Sequence, residues 1–455
     1  MRKSSKMVAL FLSLALVVGA FAACGKKDDS TVADNTPTPV YENKQDVVKE
    51  PTKEPTKEPV QEATKIELKV WGPQEEQTAY DGYGNSLLGY MCDRFNEAHP
   101  EWDITFTYGV VSEADCKTEL NKDAAAGADV FMFASDQTAS LVENGILAPI
   151  TIDAEAVIAA NGGADAGSIT AASFNNFLYA VPFTPNSWFM YYDKSKYTED
   201  EVKSLDAMMA KDLGADSYNF SIDIDNGWYL ASFFFAGGCS LFGADGQNAT
   251  ECTFNDANGL TVGNYLVDLA TNSKFLFETD NGANAISKFT EGKLGAWCSG
   301  TWNADKVKEA LGDNYAATKL PTITLNGKEG QMKSFADYKY IGVNMNTNPD
   351  AMAAAQALAV YLGSEECQKV RFLARSIAPT VSSLVNDPEV ASNIAVAALS
   401  EQSAYTQFQS TISQMGNYWA PAEGFGAGVY NGTITKDNMQ ENLNALVTNI
   451  LTTLN

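Results

Sequence analysis

Histidine is the scarcest chemically useful residue in this sequence, since His99 is the single one among 455 residues. Ser-His-Asp triads and zinc or iron sites with several histidines cannot be built from one. His99 stands between the end of a predicted helix and Pro100, where a histidine usually caps a helix C-terminus. We therefore predict a structural role for His99, no histidine-dependent catalysis, no metal and no cofactor.

Positive charge is also scarce, because 57 Asp and Glu face 31 Lys and Arg for a formal net charge of −26. Such an acidic chain repels phosphate groups, so no nucleic-acid partner is expected. The glycine clusters "DGYGNSLLG" and "GFGAGVYNG" lack the G-x-G-x-x-G spacing that a dinucleotide site requires.

The seven cysteines follow no metal-binding spacing. Cys239 and Cys252 flank a glycine-containing turn, so a disulfide between them is possible in an exported protein. The other cysteines beyond Cys24 are predicted to be free, buried thiols.

The N-terminus has the pattern of a secretory signal over residues 1–24. Arg2, Lys3 and Lys6 precede an apolar run over 7–23 that stops at Cys24. The ending "GAFAAC" resembles the lipobox of bacterial lipoproteins. That resemblance implies a mature chain that begins at a lipidated Cys24 and is anchored to the outer face of the cell membrane.

Residues 25–64 are poor in apolar side chains and contain "KEPTKEPTKEPV". Such a segment buries too little surface to offset its ordering entropy, and its prolines keep it extended. We predict a disordered Pro/Lys/Glu/Thr-rich linker, whose length suits the thick cell wall of a Gram-positive bacterium.

From residue 65 onward, strand and helix patterns alternate. "KIELKVW", "WDITFTYGV" and "DVFMFA" have the pattern of strands, with helical periodicity between them. This alternation predicts an α/β fold with a mainly parallel sheet, in which ligands bind beyond the carboxyl ends of the strands. The length predicts two domains rather than one core.

Several segments occur in the order found in the extracellular solute-binding proteins of carbohydrate ABC importers, of the maltose and maltodextrin type. They are "VWGPQ", "DVFMFASDQTASLVENGILAPI", "YAVPFTPNSWFMYYDKSKY", "AGGCSLF", "FTEGKLGAWCSGTWNADKV" and "QMGNYWAPAEGFGAGVYNGTITKDNMQENL". The chain from about residue 65 to 455 resembles this family. The resemblance implies a two-lobe periplasmic-binding-protein-like fold with a ligand cleft, in which residues 65–184 and 341–390 form the first lobe and 185–340 and 391–455 the second.

A sugar ring has an apolar face of C–H bonds and a rim of hydroxyls, so its receptor needs flat aromatic surfaces and fixed polar groups. Trp419 and Trp302 match the stacking tryptophans of the family. The glycines and proline around Trp419 are expected to keep a helix from covering it or its neighbour Tyr418. One of Trp228 and Tyr229 is expected to face the sugar. The alternative for Tyr418, Trp419 and Trp302 is core packing.

First-lobe candidates come from the same resemblance. Phe133 matches a stacking tryptophan, Asp136 matches an acceptor of sugar hydroxyls, and Gln137 stands where relatives have an arginine. Asn186 stands where a carboxylate is common, and Glu75 is an acceptor after the first strand. A helix cap is the alternative for Asp136, and a turn residue is the alternative for Asn186.

The function predicted from all this is a monomeric, non-catalytic receptor. It captures oligosaccharides, above all malto-oligosaccharides, and delivers them to the permease subunits of an ABC transporter. The competing hypothesis is a tethered glycoside hydrolase with a carboxylate pair, which an acidic composition does not exclude. A surface adhesin without a defined pocket is a third hypothesis.

Overall fold

The structure, a computed structural model, describes residues 62–278 and 282–453. The predicted signal, the lipidated Cys24 and most of the linker lie outside the described residues. Within them, no helix combines the length and apolar character that crossing a membrane requires.

The strands are short and fall mostly into two sheets. In chain order they are β1 Thr64–Gly72, β2 Trp102–Val110, β3 Val130–Ala134, β4 Ser173–Phe174, β5 Phe177–Leu178, β6 Val181–Asn186, β7 Phe189–Asp193, β8 Tyr218–Ile222, β9 Phe275–Phe277, β10 Leu294–Ser299, β11 Tyr315–Thr318, β12 Thr322–Leu325, β13 Lys328–Gln331, β14 Ser334–Val343 and β15 Thr406–Phe408.

Helices connect and cover these strands. They are α1 Leu87–Ala98, α2 Cys116–Lys122, α3 Thr138–Glu143, α4 Ala154–Ala160, α5 Gly167–Ala172, α6 Leu205–Ala210, α7 Gly227–Ala236, α8 Ala257–Ala270, α9 Ala283–Thr290, α10 Ala304–Leu311, α11 Met352–Leu362, α12 Glu365–Arg375, α13 Ser382–Val385, α14 Pro388–Ala391, α15 Ile394–Gln402, α16 Trp419–Tyr430 and α17 Met439–Ile450.

The first sheet has the order β15-β14-β3-β1-β2, with β6 also paired to β14. Strand β1 runs parallel to both β2 and β3, as strand-helix-strand units require. Its alternating Ile66, Leu68 and Val70 are all buried. They belong to one core with side chains such as Phe95 and Phe131.

The second sheet has the order β11-β7-β10-β8-β9 and carries cores on both faces. Met190 packs into the larger core, while its neighbours Phe189 and Tyr191 pack into the smaller one. This alternation is the period-two pattern of a strand that is buried on both sides. Strands β10, β8 and β9 are parallel neighbours, so their carboxyl ends lie at the same edge.

Strands β6 and β14 run from one core to the other and pair along the way. Phe183 of β6 lies in the first core, and Trp188, just after β6, lies in the second core. Similarly, Phe335 and Tyr340 of β14 lie in the second and the first core. The described residues therefore form two sheets with their own cores, which are joined by the hydrogen-bonded strands β6 and β14.

Three local predictions need correction. The helical periodicity between "WDITFTYGV" and "DVFMFA" gives only the short helix α2, because Asp123 leaves the helical conformation. Cys239 and Cys252 are both free thiols in the structure, as are the other four cysteines in the described residues. The segment around Trp419, expected to resist helix formation, is α16.

Helix α16 tolerates its proline and glycines for positional reasons. Pro421 is the third helical residue, where a backbone N–H has no intrahelical acceptor. Because proline lacks this N–H, no helical hydrogen bond is lost at that position. Gly426 lets the helix approach the second sheet, since a Cβ there would lie 1.8 Å from the carbonyl oxygen of Ile224.

Candidate functional site

A cluster of aromatic rings lies where strand β8 leads into helix α7. Asn226 caps α7 by accepting a hydrogen bond from the Trp228 N–H at 2.9 Å, which places Trp228 in the first turn. The Trp228 ring stacks on Phe335, with centroids 5.6 Å apart, and lies 6.5 Å from Trp419. Both tryptophans are half-buried, so part of each ring remains accessible.

Tyr418 and Trp419 are neighbours with different surroundings. Tyr418 is fully buried, and its hydroxyl donates to the carbonyl oxygen of Gly227 at 2.7 Å. Tyr418 therefore ties helix α16 to the start of α7 and has no face for a ligand, which corrects its prediction as a binding residue. Trp419 is half-buried at the edge of the same contact, with its centroid 6.0 Å from that of Phe335.

Trp302 follows strand β10 in a single 3-10 turn, Thr301–Asn303. Its ring folds over Gly300, where a Cβ would lie 2.0 Å from a ring carbon. The Lys339 ammonium of β14 lies 5.9 Å from the centroid of the Trp302 ring, within cation–π range. Lys339 also pairs with Glu113 at 3.1 Å. The half-buried Trp302 thus meets charged groups of the first sheet.

Tyr229 is placed differently from Trp228. Its ring packs against the fully buried Trp188, with centroids 4.8 Å apart. Burial raises the pKa of Tyr229 well above its usual value. Of the two residues between which the sequence left a choice, Trp228 is the one that lies in the Trp419 and Phe335 ring cluster.

Carboxyl groups of the first sheet lie beside the crossing strands. Asn186 donates from Nδ2 to Asp337 Oδ1 at 2.6 Å, across the β6–β14 pair. Burial, reinforced by the nearby Asp136 charge, raises the pKa of Asp337 well above its usual value. Burial also raises the pKa of Asp136, to about 6. The structure therefore brings Asn186 and Asp136 together with Asp337, which the sequence analysis missed.

Two further predicted binding residues, Phe133 and Gln137, are buried in and beside the first sheet, so their predictions are corrected. Phe133 is fully buried between Phe131 and Tyr340, because its position in β3 points the ring into the core. Gln137 is buried, and its side-chain amide donates to the carbonyl oxygens of Glu113 and Ala114 while its oxygen accepts from the Lys117 N–H. The Phe133 ring therefore has no face for a ligand, and the hydrogen-bonding groups of the Gln137 side chain are already paired with the backbone.

Glu75 is exposed in the 3-10 turn Gln74–Gln77 after β1, and its role as an acceptor stays a prediction. The next residue, Glu76, is buried and pairs through Oε1 with Arg371 and Arg375 of α12. Arg371 in turn donates to Phe183 O and Thr184 Oγ1 of β6. This ion triad joins the loop after β1 to a crossing strand.

A second carboxyl pair, also missed by the sequence analysis, follows strand β8. Burial, together with a hydrogen bond and the charge of Asp225, raises the pKa of Asp223 to about 9. Partial burial and Asp225 likewise raise the pKa of Glu423 on α16. The signal for the pair was present in "SIDIDNG", where two acidic residues follow directly on a strand.

Within the described ranges, no cluster of His, Cys, Asp and Glu side chains is arranged to hold a metal ion. His99 ends helix α1 and stacks on Trp102 at 5.2 Å between centroids, which is the structural position predicted for it. The chemical character of the site is therefore aromatic faces beside carboxyl and amide groups. Such a surface offers the two kinds of contact that a polyhydroxylated ring requires.

Comparison with known proteins decides the family. The family model of the bacterial extracellular solute-binding proteins matches residues 90–398, more than half of the chain. The chain belongs to this family. A galactooligosaccharide-binding protein of Bacillus subtilis is 27% identical to it over 92% of this chain and 91% of its own length.

Two further comparisons concern sugars as well. A maltooligosaccharide ABC transporter solute-binding lipoprotein of Streptococcus pneumoniae is 26% identical, over 68% of this chain and 72% of that protein. A solved structure with acarbose is 38% identical, covers 84% of this chain and 98% of its own, and superposes with a TM-score of 0.77. The fold is the two-lobe fold of this family, and the chain is a solute-binding protein of a sugar ABC importer.

Proposed function

We propose that this solute-binding protein captures malto-oligosaccharides between its two sheets and delivers them to the permease subunits of an ABC transporter. The proposal rests above all on one observation. The Lys339 ammonium of β14 in the first sheet lies over the ring of Trp302, which follows β10 in the second sheet, and Lys339 pairs with Glu113 in the loop after β2. An aromatic face on one side and charged acceptors and donors on the other suit the two surfaces of a sugar ring.

The proposed contacts divide by chemistry. The stacking surfaces are Trp302, Trp419 and Trp228, whereas Tyr229 packs against Trp188. The polar contacts are Asp136, Asn186 and Glu75. Stacking contributes roughly 1 kcal/mol per ring beyond area burial, so three rings fall short of the about −8 kcal/mol of a micromolar site. Hydroxyl hydrogen bonds and buried area supply the remainder.

Binding is coupled to closure of the two lobes, which we place at 65–184 with 341–390 and at 185–340 with 391–455. Contacts that form only in the closed state shift the equilibrium toward closure. The paired strands β6 and β14 are the hinge in this proposal, as in the hinge closure of periplasmic binding proteins. No chemical step on the sugar is involved.

The location belongs to the same proposal. Residues 1–24 direct export, Cys24 carries the lipid that anchors the protein to the outer face of the membrane, and residues 25–64 space the monomeric body from it. A Gram-positive envelope suits this arrangement. Treatment with a lipoprotein signal peptidase inhibitor is expected to leave the precursor uncleaved, and Cys24→Ala is expected to release the protein from the membrane fraction.

Calorimetric titration with maltotriose tests the function. We expect saturable one-to-one binding, weakened at least about tenfold by Trp302→Ala or Trp419→Ala, since buried aromatic anchors dominate such sites. Phe177→Ala is the control, because Phe177 is exposed in the β4–β5 hairpin. The same titration with xylo-, manno- and galacto-oligosaccharides measures whether the protein binds another sugar more tightly than maltotriose. Release of shorter products from maltopentaose would indicate the competing hydrolase instead.

A further inference from the structure

Phe277 and Tyr430 form an exposed stacked pair outside the aromatic cluster described above. Their ring centroids are 3.4 Å apart, and their planes differ by 13°. Tyr430 is 46% exposed, and Phe277 is half-buried against the second core. Since Phe277 covers one face of the Tyr430 ring, the exposed area includes the opposite face. Phe277 therefore contributes to packing against the second core, whereas nearly half of the Tyr430 surface is open to solvent.

Phe277 lies at the same edge of the second sheet as the candidate site. It is the last residue of β9 and pairs in parallel register with Ile222 of β8. Trp228 follows β8, and Trp302 follows β10, which is the next strand along. Neighbouring strands are about 4.8 Å apart, so the end of β9 lies about 10 Å from the end of β10. The stacked pair therefore continues the carboxyl edge on which the tryptophans lie.

Tyr430 is connected to the site by helix α16. Trp419 and Tyr430 are its first and last residues. At 3.6 residues and a 5.4 Å rise per turn, they are about three turns apart, on the same face and about 16 Å from each other along the axis. That distance is several times the width of a sugar ring. Both aromatic residues thus border one helix face.

An exposed carboxylate lies on the helix face between these two rings. Glu423 follows Trp419 by about one turn on that face, and Gly426, about two turns after Trp419, packs against the Ile224 carbonyl oxygen. Glu423 and the nearby Asp225 provide hydroxyl acceptors along this face. An aromatic platform at each end with acceptors between them has the composition of a groove for a chain of sugars.

We propose that the Phe277–Tyr430 pair is an outer sugar-stacking platform, which binds a hexose unit of an oligosaccharide whose inner units occupy the site at Trp419. This inference rests on the proposed function and deepens it, because it assigns the site a preference for longer chains. The platform distinguishes ligands by length, since a short sugar bound at Trp419 does not reach Tyr430.

The test is calorimetric titration of the full mature chain with α-1,4-linked glucose oligomers, from the disaccharide to the heptasaccharide. We expect the affinity of the unmodified protein to rise with chain length. Tyr430→Ala is expected to weaken binding of the longest oligomers by roughly three- to tenfold and to leave the shortest unaffected. Tyr430→Phe, which keeps the ring face, is expected to retain the affinity for long chains.

The results that overturn the inference are equally specific. If Tyr430→Ala binds the heptasaccharide as tightly as the unmodified protein, or if affinity does not rise beyond the trisaccharide, the platform does not bind sugar. Phe177→Ala is the matched control, because Phe177 is an exposed aromatic residue in the separate β4–β5 hairpin. If no oligomer of any length binds, the proposed function itself is wrong, which is a different outcome from length-independent binding.

Discussion

Glu76 shows how a single carboxylate connects distant parts of this chain. Burial alone raises its pKa, and the Arg371 and Arg375 guanidinium groups override that effect, so the pKa of Glu76 is lowered. Both arginines are buried as well. The single Glu76 carboxylate is shared by two guanidinium groups where water is excluded, and removing it leaves both buried arginines without this counterion.

We expect Glu76→Gln to lower the free energy of unfolding by about 3 to 5 kcal/mol, the typical cost of breaking a buried ion pair. Urea denaturation at neutral pH measures the change. The control is Glu75→Gln, which makes the same substitution one residue earlier on an exposed side chain, with an effect within about 0.5 kcal/mol. Equal effects of the two variants would show that the triad contributes nothing particular.

The pH dependence of stability has a defined sign for this triad. Because the folded pKa of Glu76 is lowered, its contribution is present above the unfolded pKa of 4.5 and is lost as the pH falls through the folded value. We therefore expect the stability difference between the unmodified protein and Glu76→Gln to shrink progressively below about pH 4.5. A difference that grows with acidification contradicts this expectation.

At the scale of elements, α16 combines weak helix formers with tight packing. The glycines at 424, 426 and 428 each reduce helix propensity. Gly426 offsets its cost by letting the helix contact the Ile224 carbonyl, whereas Gly424 faces open space. The close approach brings Trp419 of α16 near Trp228 of α7.

We expect Gly426→Ala to destabilise the protein and weaken sugar binding together, because the helix must move away from Ile224 and carry Trp419 with it. Gly424→Ala, two residues earlier in the same helix, is expected to stabilise by about 0.4 to 1 kcal/mol with stacking at Trp419 preserved. Thermal unfolding and maltotriose titration measure both variants. Parallel behaviour of the two substitutions would falsify the assignment of Gly426 to the helix contact.

At the scale of the whole molecule, the proposed closure moves the two sheets relative to each other about the crossing strands β6 and β14, which remain hydrogen-bonded. The Asn186–Asp337 contact lies on these strands, and the Trp302–Lys339 contact spans the two sheets. A ligand that touches both sheets stabilises the closed arrangement and, through it, the complete body.

We expect saturating malto-oligosaccharide to reduce the radius of gyration in small-angle scattering and to raise the unfolding temperature of the protein. At 100 times the dissociation constant, the gain in unfolding free energy is about 2.7 kcal/mol. Trp302→Ala is expected to diminish both effects at the same sugar concentration. Tight binding with an unchanged radius of gyration would exclude closure as the response to the ligand.

Much of the architecture was predictable from local patterns. The alternation in "KIELKVW" and the apolar run "DVFMFA" predicted β1 and β3, and both are present. The helix at Met439–Ile450 follows from its apolar periodicity. These signals depend on residues close together in the chain, so no knowledge of distant contacts was needed.

Local patterns misjudged the residues whose role depends on distant contacts. Phe133 had the residue type of a stacking surface, but the β14 neighbour Tyr340 encloses it. Asp337 looked unremarkable in the sequence until β6 placed Asn186 opposite it. Pro421 and its neighbouring glycines predicted an irregular segment. The prediction was wrong because α16 is stabilised by packing against α7 and α8, which are far away in the sequence.

The sequence alone determined the composition of the molecule: an acidic chain with one histidine and 11% aromatic residues, whose alternating strand and helix patterns indicate an α/β body. Only the tertiary structure decided which aromatic faces are free. Tyr418 and Trp419 are adjacent in the chain, yet Tyr418 is buried with its hydroxyl bonded to Gly227, and Trp419 remains partly accessible. The physical reason is that exposure depends on chain segments nearly two hundred residues away, which folding brings together.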